Sequence, residues 1–112
     1  MEVVAVRKPG GALVITVKGK VDTVTAPKFG EYLTKAVEKT ENALIVNLSE
    51  LLFISSAGLR VILGTAKKLQ EKQSEFLLAG LKGHVKEVFE IAGFCTLFKV
   101  FDTEESALEQ VG

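Results

Sequence analysis

The stretch from Ala43 to Gly64, ALIVNLSELLFISSAGLRVILG, decides the fold. Ala43 to Leu48 is a continuous apolar run of strand length, which suits a strand covered on both faces. Leu51 to Ile54 is apolar again and reads as buried structure. Two hydroxyls, an alanine and a glycine follow. From Ala57 to about Lys72, residues Leu59, Ile62, Leu63, Ala66 and Leu69 recur at helical spacing and form an inner stripe. Ser55 or Ser56 is a good N-cap, because a side-chain oxygen there satisfies an otherwise free N–H. Gly58 is a poor residue for a helix, costing roughly 0.5–1 kcal/mol relative to Ala. At the second helical position it is expected to keep the approach to the serines open for another backbone.

Upstream, Val3 to Arg7 and Ala12 to Lys18 are rich in β-branched residues and separated by KPGG, the pattern of a hairpin. GKVD then leads to a helix, with Thr25 as cap and Pro27 in the first turn. Its inner positions are Phe29, Tyr32, Leu33, Ala36 and Val37. Downstream, Glu75 to Ala79 is a short strand ended by Gly80. His84 to Ala92 is a short helix with Val85, Val88, Phe89 and Ile91 inward, and Gly93 is a left-handed stop. Leu97 to Phe101 is a last strand, and Asp102 and Glu105 stand at capping-box spacing before a terminal helix. The order ββ-α-β-α-β-α-β-α implies an α/β fold: a mixed, mostly parallel sheet packed with about four helices. No repeat or linker divides residues 1–112, so one domain is expected.

With 47% hydrophobic residues among 112, a packed core is expected and disorder is excluded. The 14 basic and 14 acidic side chains are spread along the chain, which argues against a nucleic-acid partner. Cys95 is the single cysteine, consistent with a reducing compartment. MEVVAVRKPGG lacks the regions of a signal peptide, and ALIVNLSELLFI is interrupted and too short to span a bilayer. A cytoplasmic protein without membrane insertion is expected.

Catalytic signatures are sparse. His84 is the sole histidine and no Ser-His-Asp set can be argued from it; a capping or surface role fits its place in a first helical turn. No metal-ligand spacing occurs, and no cofactor is called for. GTAKKL at Gly64 lacks the rest of a phosphate loop, and Gly64 falls within a helix. Cys95 reads as a small buried hydrophobe. Asp22 and Thr23, in contrast, follow a strand and precede a helix, as Ser55 and Ser56 do. Binding sites of open α/β sheets form at such carboxyl ends of strands. If the two strands run parallel side by side, both junctions share one rim.

LSELLFISSAGLRVILG, residues 48–64, resembles the signature of the STAS domain of anti-sigma factor antagonists: an apolar strand, D-S-[ST]-G-L, and an apolar helix. GKVDTVTAPKF, LAGLKGHVKEVFEIAGF and ALEQV resemble further segments of that family in order. The resemblance implies a partner-switching regulator and not an enzyme. It binds an anti-sigma factor that is also a serine kinase, is switched off by phosphorylation at the strand-to-helix junction, and is restored by a PP2C-type phosphatase. In register, the modified serine is Ser56, with Ser55 the second choice. The implied partner-binding rim is Asp22, Thr23, Ser55, Ser56, Gly58 and Arg60. Ser55 stands where the signature has Asp, Ala57 where it often has Ser or Thr, and Arg60 where Gly is common. The alternatives are an unphosphorylated STAS scaffold in a transport or stress-signalling complex, and a small nucleotide-binding or hydrolytic α/β enzyme.

Overall fold

A computed structural model describes residues 1–111. Strands β1 (Glu2–Arg7) and β2 (Ala12–Val21) form the expected antiparallel hairpin, and α1 (Ala26–Lys39) follows. Next come β3 (Ala43–Asn47), β4 (Leu51–Ile54), α2 (Ser56–Glu71) and β5 (Glu75–Ala79). The described residues end with α3 (Gly83–Ile91), α4 (Phe94–Leu97), β6 (Lys99–Phe101) and α5 (Glu104–Glu109). The sheet order is β1-β2-β3-β5-β6, with β4 paired separately to β2, and every pairing except β1–β2 is parallel.

The continuous apolar run of β3 is explained by burial on both sides of the sheet. Leu44 and Val46 pack with Phe29 and Leu33 of α1, Ile62 and Leu69 of α2, and Phe89 of α3. Ala43 and Ile45 face the opposite side, with Ala12, Val14, Leu77 and Ala79, beneath Ala107 of α5. Full burial of a Leu or Ile side chain is worth about 1.5–3 kcal/mol. The two faces together therefore dominate the stability of the sheet.

Several elements differ from the sequence expectation. Leu51–Ile54 is a strand of its own and Phe94–Leu97 an additional helix, which gives six strands and five helices among the described residues. Strand β4 exists because β2 changes partner: its first half pairs with β3, then the register shifts between Gly19 and Lys20 and Gly19–Val21 pairs with β4. Gly19 allows the shift with φ +91°, a conformation open to glycine, and its N–H donates to the Glu50 carbonyl at 3.1 Å.

The last strand starts at Lys99 and not at Leu97, because Phe94–Leu97 form one helical turn. That turn is held by the Phe94 ring, edge-on to Phe89 at 5.6 Å and to Phe98 at 5.2 Å. Ile91 is 87% exposed instead of inward, and Tyr32 sits at the edge of α1 under Lys28 Nζ. The terminal helix is capped by Thr103, whose hydroxyl accepts the Ser106 N–H at 3.1 Å, and not by Asp102 with Glu105. Gly93 does adopt the left-handed conformation expected of it.

Candidate functional site

Two strand-to-helix junctions meet at the carboxyl end of β2 and β4. Val21 pairs with Ile54 in the parallel ladder, and the Ser55 N–H donates to the Val21 carbonyl at 2.7 Å. Asp22 and Ser55, the next residues on each chain segment, are thereby brought onto one rim. The condition set by the sequence, two parallel neighbouring strands, is met.

The first junction is tied by reciprocal bonds. Asp22 Oδ1 accepts the backbone N–H of Thr25 at 2.9 Å and of Val24 at 3.0 Å, and Thr25 Oγ1 accepts the Asp22 N–H at 2.9 Å. Thr25 is the N-cap of α1, as the sequence predicts, but its hydroxyl does not cap the helix amides; it is engaged in the reciprocal bonds of the Asp22–Thr25 turn that leads into the helix. Thr23 and Val24 are left at the tip, and Val24 is 85% exposed.

At the second junction the two serines divide the work. Ser55 is the N-cap of α2: it is half-buried, and its Oγ accepts the Gly58 N–H at 3.2 Å. Ser56 is the first helical residue, is exposed, and its hydroxyl makes no hydrogen bond among the described residues. Arg60 lies one turn later on the same helix face, also exposed and without an ion pair among the described residues.

Gly58 does not share this exposure. It is buried, and a β-carbon there would lie 2.7 Å from Ile54 Cγ1 and 2.8 Å from Val21 Cγ1. The glycine lets α2 settle onto β2 and β4, so its role is to hold the rim from below and not to admit another backbone from outside. His84, at the start of α3, stacks on Phe53 of β4 with centroids 6.3 Å apart. Leu52 beside it is 68% exposed, an apolar patch next to the rim that the sequence reading did not single out. Cys95 is half-buried, and burial raises its thiol pKa, which favours the neutral thiol.

Residues 3–107 match the family model of the STAS domain. The chain belongs to the STAS domain family. This STAS domain is 42% identical over 100 residues to BtrV of Bordetella bronchiseptica, named among the anti-sigma factor antagonists, covering 89% of this chain and 86% of that protein. It is 36% identical over 90 residues to the anti-sigma-B factor antagonist of Listeria monocytogenes, covering 80% and 79%. The crystal structure of an anti-sigma factor antagonist from Mycobacterium paratuberculosis superposes with a TM-score of 0.89 at 25% identity, covering 98% of this chain and 92% of that one. STAS proteins of the antagonist group are regulators without catalysis, and this domain is a regulator and not an enzyme. No helix among the described residues is long and apolar enough to cross a membrane.

The Asp22 bonds carry a pH consequence. The Thr25 backbone N–H first, then the Thr25 hydroxyl, hold the Asp22 carboxyl below its ordinary pKa, outweighing the opposing effect of desolvation. A carboxyl whose pKa is lowered by folding stabilises the native state above its unfolded pKa. That contribution is lost as pH falls through the folded value. Asp22→Asn should therefore narrow its stability gap to the parent below about pH 4 and keep it constant from pH 5 to 7. Urea titrations at a series of pH values check this, and a gap unchanged down to pH 2 would rule it out.

Proposed function

We propose that residues 1–112 act as one STAS module, an anti-sigma factor antagonist that binds an anti-sigma factor with serine kinase activity. Phosphorylation of Ser56 by that kinase ends the complex, and a PP2C-type phosphatase restores the free hydroxyl. Asp22, Thr23, Ser55, Ser56 and Arg60 form the contact rim, with Gly58 supporting it from beneath. The work of the antagonist is done in the cytoplasm, without nucleic acid, metal or cofactor.

The observation that carries this reading is the division of labour between the serines. Ser55 Oγ is committed to the Gly58 N–H, whereas Ser56 presents an unused, exposed hydroxyl on the first turn of α2. A kinase needs an accessible hydroxyl that can be withdrawn from the fold without cost, and Ser56 meets that condition better than Ser55. The N-terminal amides and macrodipole of a helix favour an anion at that place. The names of the Bordetella and Listeria relatives support the partner class.

The test is incubation of the domain with its cognate anti-sigma factor and ATP, followed by peptide mapping of phosphate by mass spectrometry. Modification at Ser56 is expected. Phosphate on Ser55 alone would move the switch by one residue, and a stable complex with neither serine modified would favour the scaffold.

A further inference from the structure

We infer that Gly64 is a contact residue of the partner interface, so that docking runs along α2 from Ser56 past Arg60 to Lys67. The occupant of the Gly64 notch is backbone from an acidic segment of the anti-sigma factor. This rests on the reading of the chain as an antagonist and adds to it a surface beyond the rim.

Gly64 lies in the interior of α2, where glycine is among the poorest helix formers. A buried glycine can be required by packing, as Gly58 is in the same helix. Gly64 has no such requirement among the described residues: a β-carbon built there meets none of their heavy atoms in another element within 4 Å. Nor is it a turn or a cap, and no positive φ calls for it. The helix thus carries an unfavourable residue that nothing inside the domain needs. Departures from local preference without internal compensation are expected where function sets the residue.

Its position supplies the function. Ser56, Arg60 and Gly64 recur at four-residue spacing, which places them on one helix face, with Gly64 roughly 12 Å along the axis from Ser56. Arg60 and Lys67 flank the notch, are both exposed, and form no ion pair among the described residues. Absence of a side chain between two free cations suits close approach of a backbone that carries carboxylates on either side. An apolar partner segment would leave both cations desolvated and unpaired, which disfavours it.

Gly64→Ala separates stability from binding. The substitution should raise the melting temperature by about 3 °C, from improved helix propensity. It should also weaken the complex with the anti-sigma factor roughly tenfold, measured by calorimetry. Gly30→Ala in α1 is the control: unlike Gly64, Gly30 borders another element of the fold, its β-carbon lying 3.6 Å from Val61 Cγ2 of α2, so the change should leave affinity unchanged. Lys67→Ala should weaken binding at low salt and lose its effect at high salt. Wild-type affinity in Gly64→Ala, with the parent complex intact, overturns the inference and leaves the antagonist reading standing. Failure of the unsubstituted domain to bind any anti-sigma factor of its own genome overturns both.

Discussion

Phosphorylated at Ser56, the domain should lose its anti-sigma factor by a factor of about a hundred or more while melting within a few degrees of the unmodified form. The fold is insulated because the cap of α2 is Ser55 Oγ on the Gly58 N–H, and among the described residues Ser56 contributes no side-chain bond that modification would break. The added charge, about −1.5 to −2 at pH 7, arrives where the helix dipole offsets part of it, an effect of roughly 0.3–1 kcal/mol. Arg60, one turn on and free of ion pairs among the described residues, can fold back onto the phosphate. On the proposed interface the partner would lose twice: it would have to desolvate an anion, and the Arg60 guanidinium proposed to face it would be engaged within the domain. Ser56→Asp should reproduce the loss in part, having less charge and fewer acceptor oxygens. Ser56→Ala should bind normally and resist ATP. Calorimetric titration before and after modification decides the matter, and undiminished affinity of the Ser56-phosphorylated form would sink the switch.

The parts of the fold legible in the sequence were those set by local chemistry. The apolar run of β3 announced burial on both faces, and the spacing from Leu59 to Leu69 announced α2. The parts that escaped depend on partners distant in sequence. Strand β4 has only four residues, buried at its two ends and exposed at Leu52 and Phe53, a pattern that matches neither alternation nor a continuous core run. Its existence hangs on the register shift of β2 at Gly19. The single turn at Phe94–Leu97 carries no side-chain cap and is drawn in by aromatic contacts that no local pattern records. At the site, the neighbouring junctions followed from strand-end logic. Thr25 is the N-cap residue that the sequence predicts, but its hydroxyl bonds to the Asp22 N–H and not to an amide of α1, a turn that no local pattern records. The buried role of Gly58 was invisible, because the atoms that demand it belong to Val21 and Ile54 and meet only in the folded sheet.

Gly58→Ala should destabilise the domain, in opposition to helix propensity. In an unconstrained helix the change would stabilise by roughly 0.5–1 kcal/mol. Here the new methyl would sit 2.7 Å from Ile54 Cγ1, 2.8 Å from Val21 Cγ1 and 3.2 Å from Ile54 Cδ1. Neither neighbour can easily retreat: Val21 is 0% and Ile54 3% exposed, and both are β-branched side chains on strands, stiff at χ1. Overpacking of this kind costs about 1–3 kcal/mol, which exceeds the propensity gain. A net loss corresponding to a melting temperature lower by roughly 5–10 °C is expected. The strain is relieved most readily by lifting the start of α2 from β2 and β4, the strands whose ends carry Asp22 and Ser55. Anti-sigma factor binding should therefore fall together with stability, the reverse of the split expected for Gly64→Ala six residues along the same helix. Adding Val21→Ala removes one of the clashing methyls, so the double variant should be less destabilised than the two single losses combined. Thermal melts of the four proteins test this directly, and a Gly58→Ala domain that melts above the parent would show that α2 does not need the glycine to seat on the sheet.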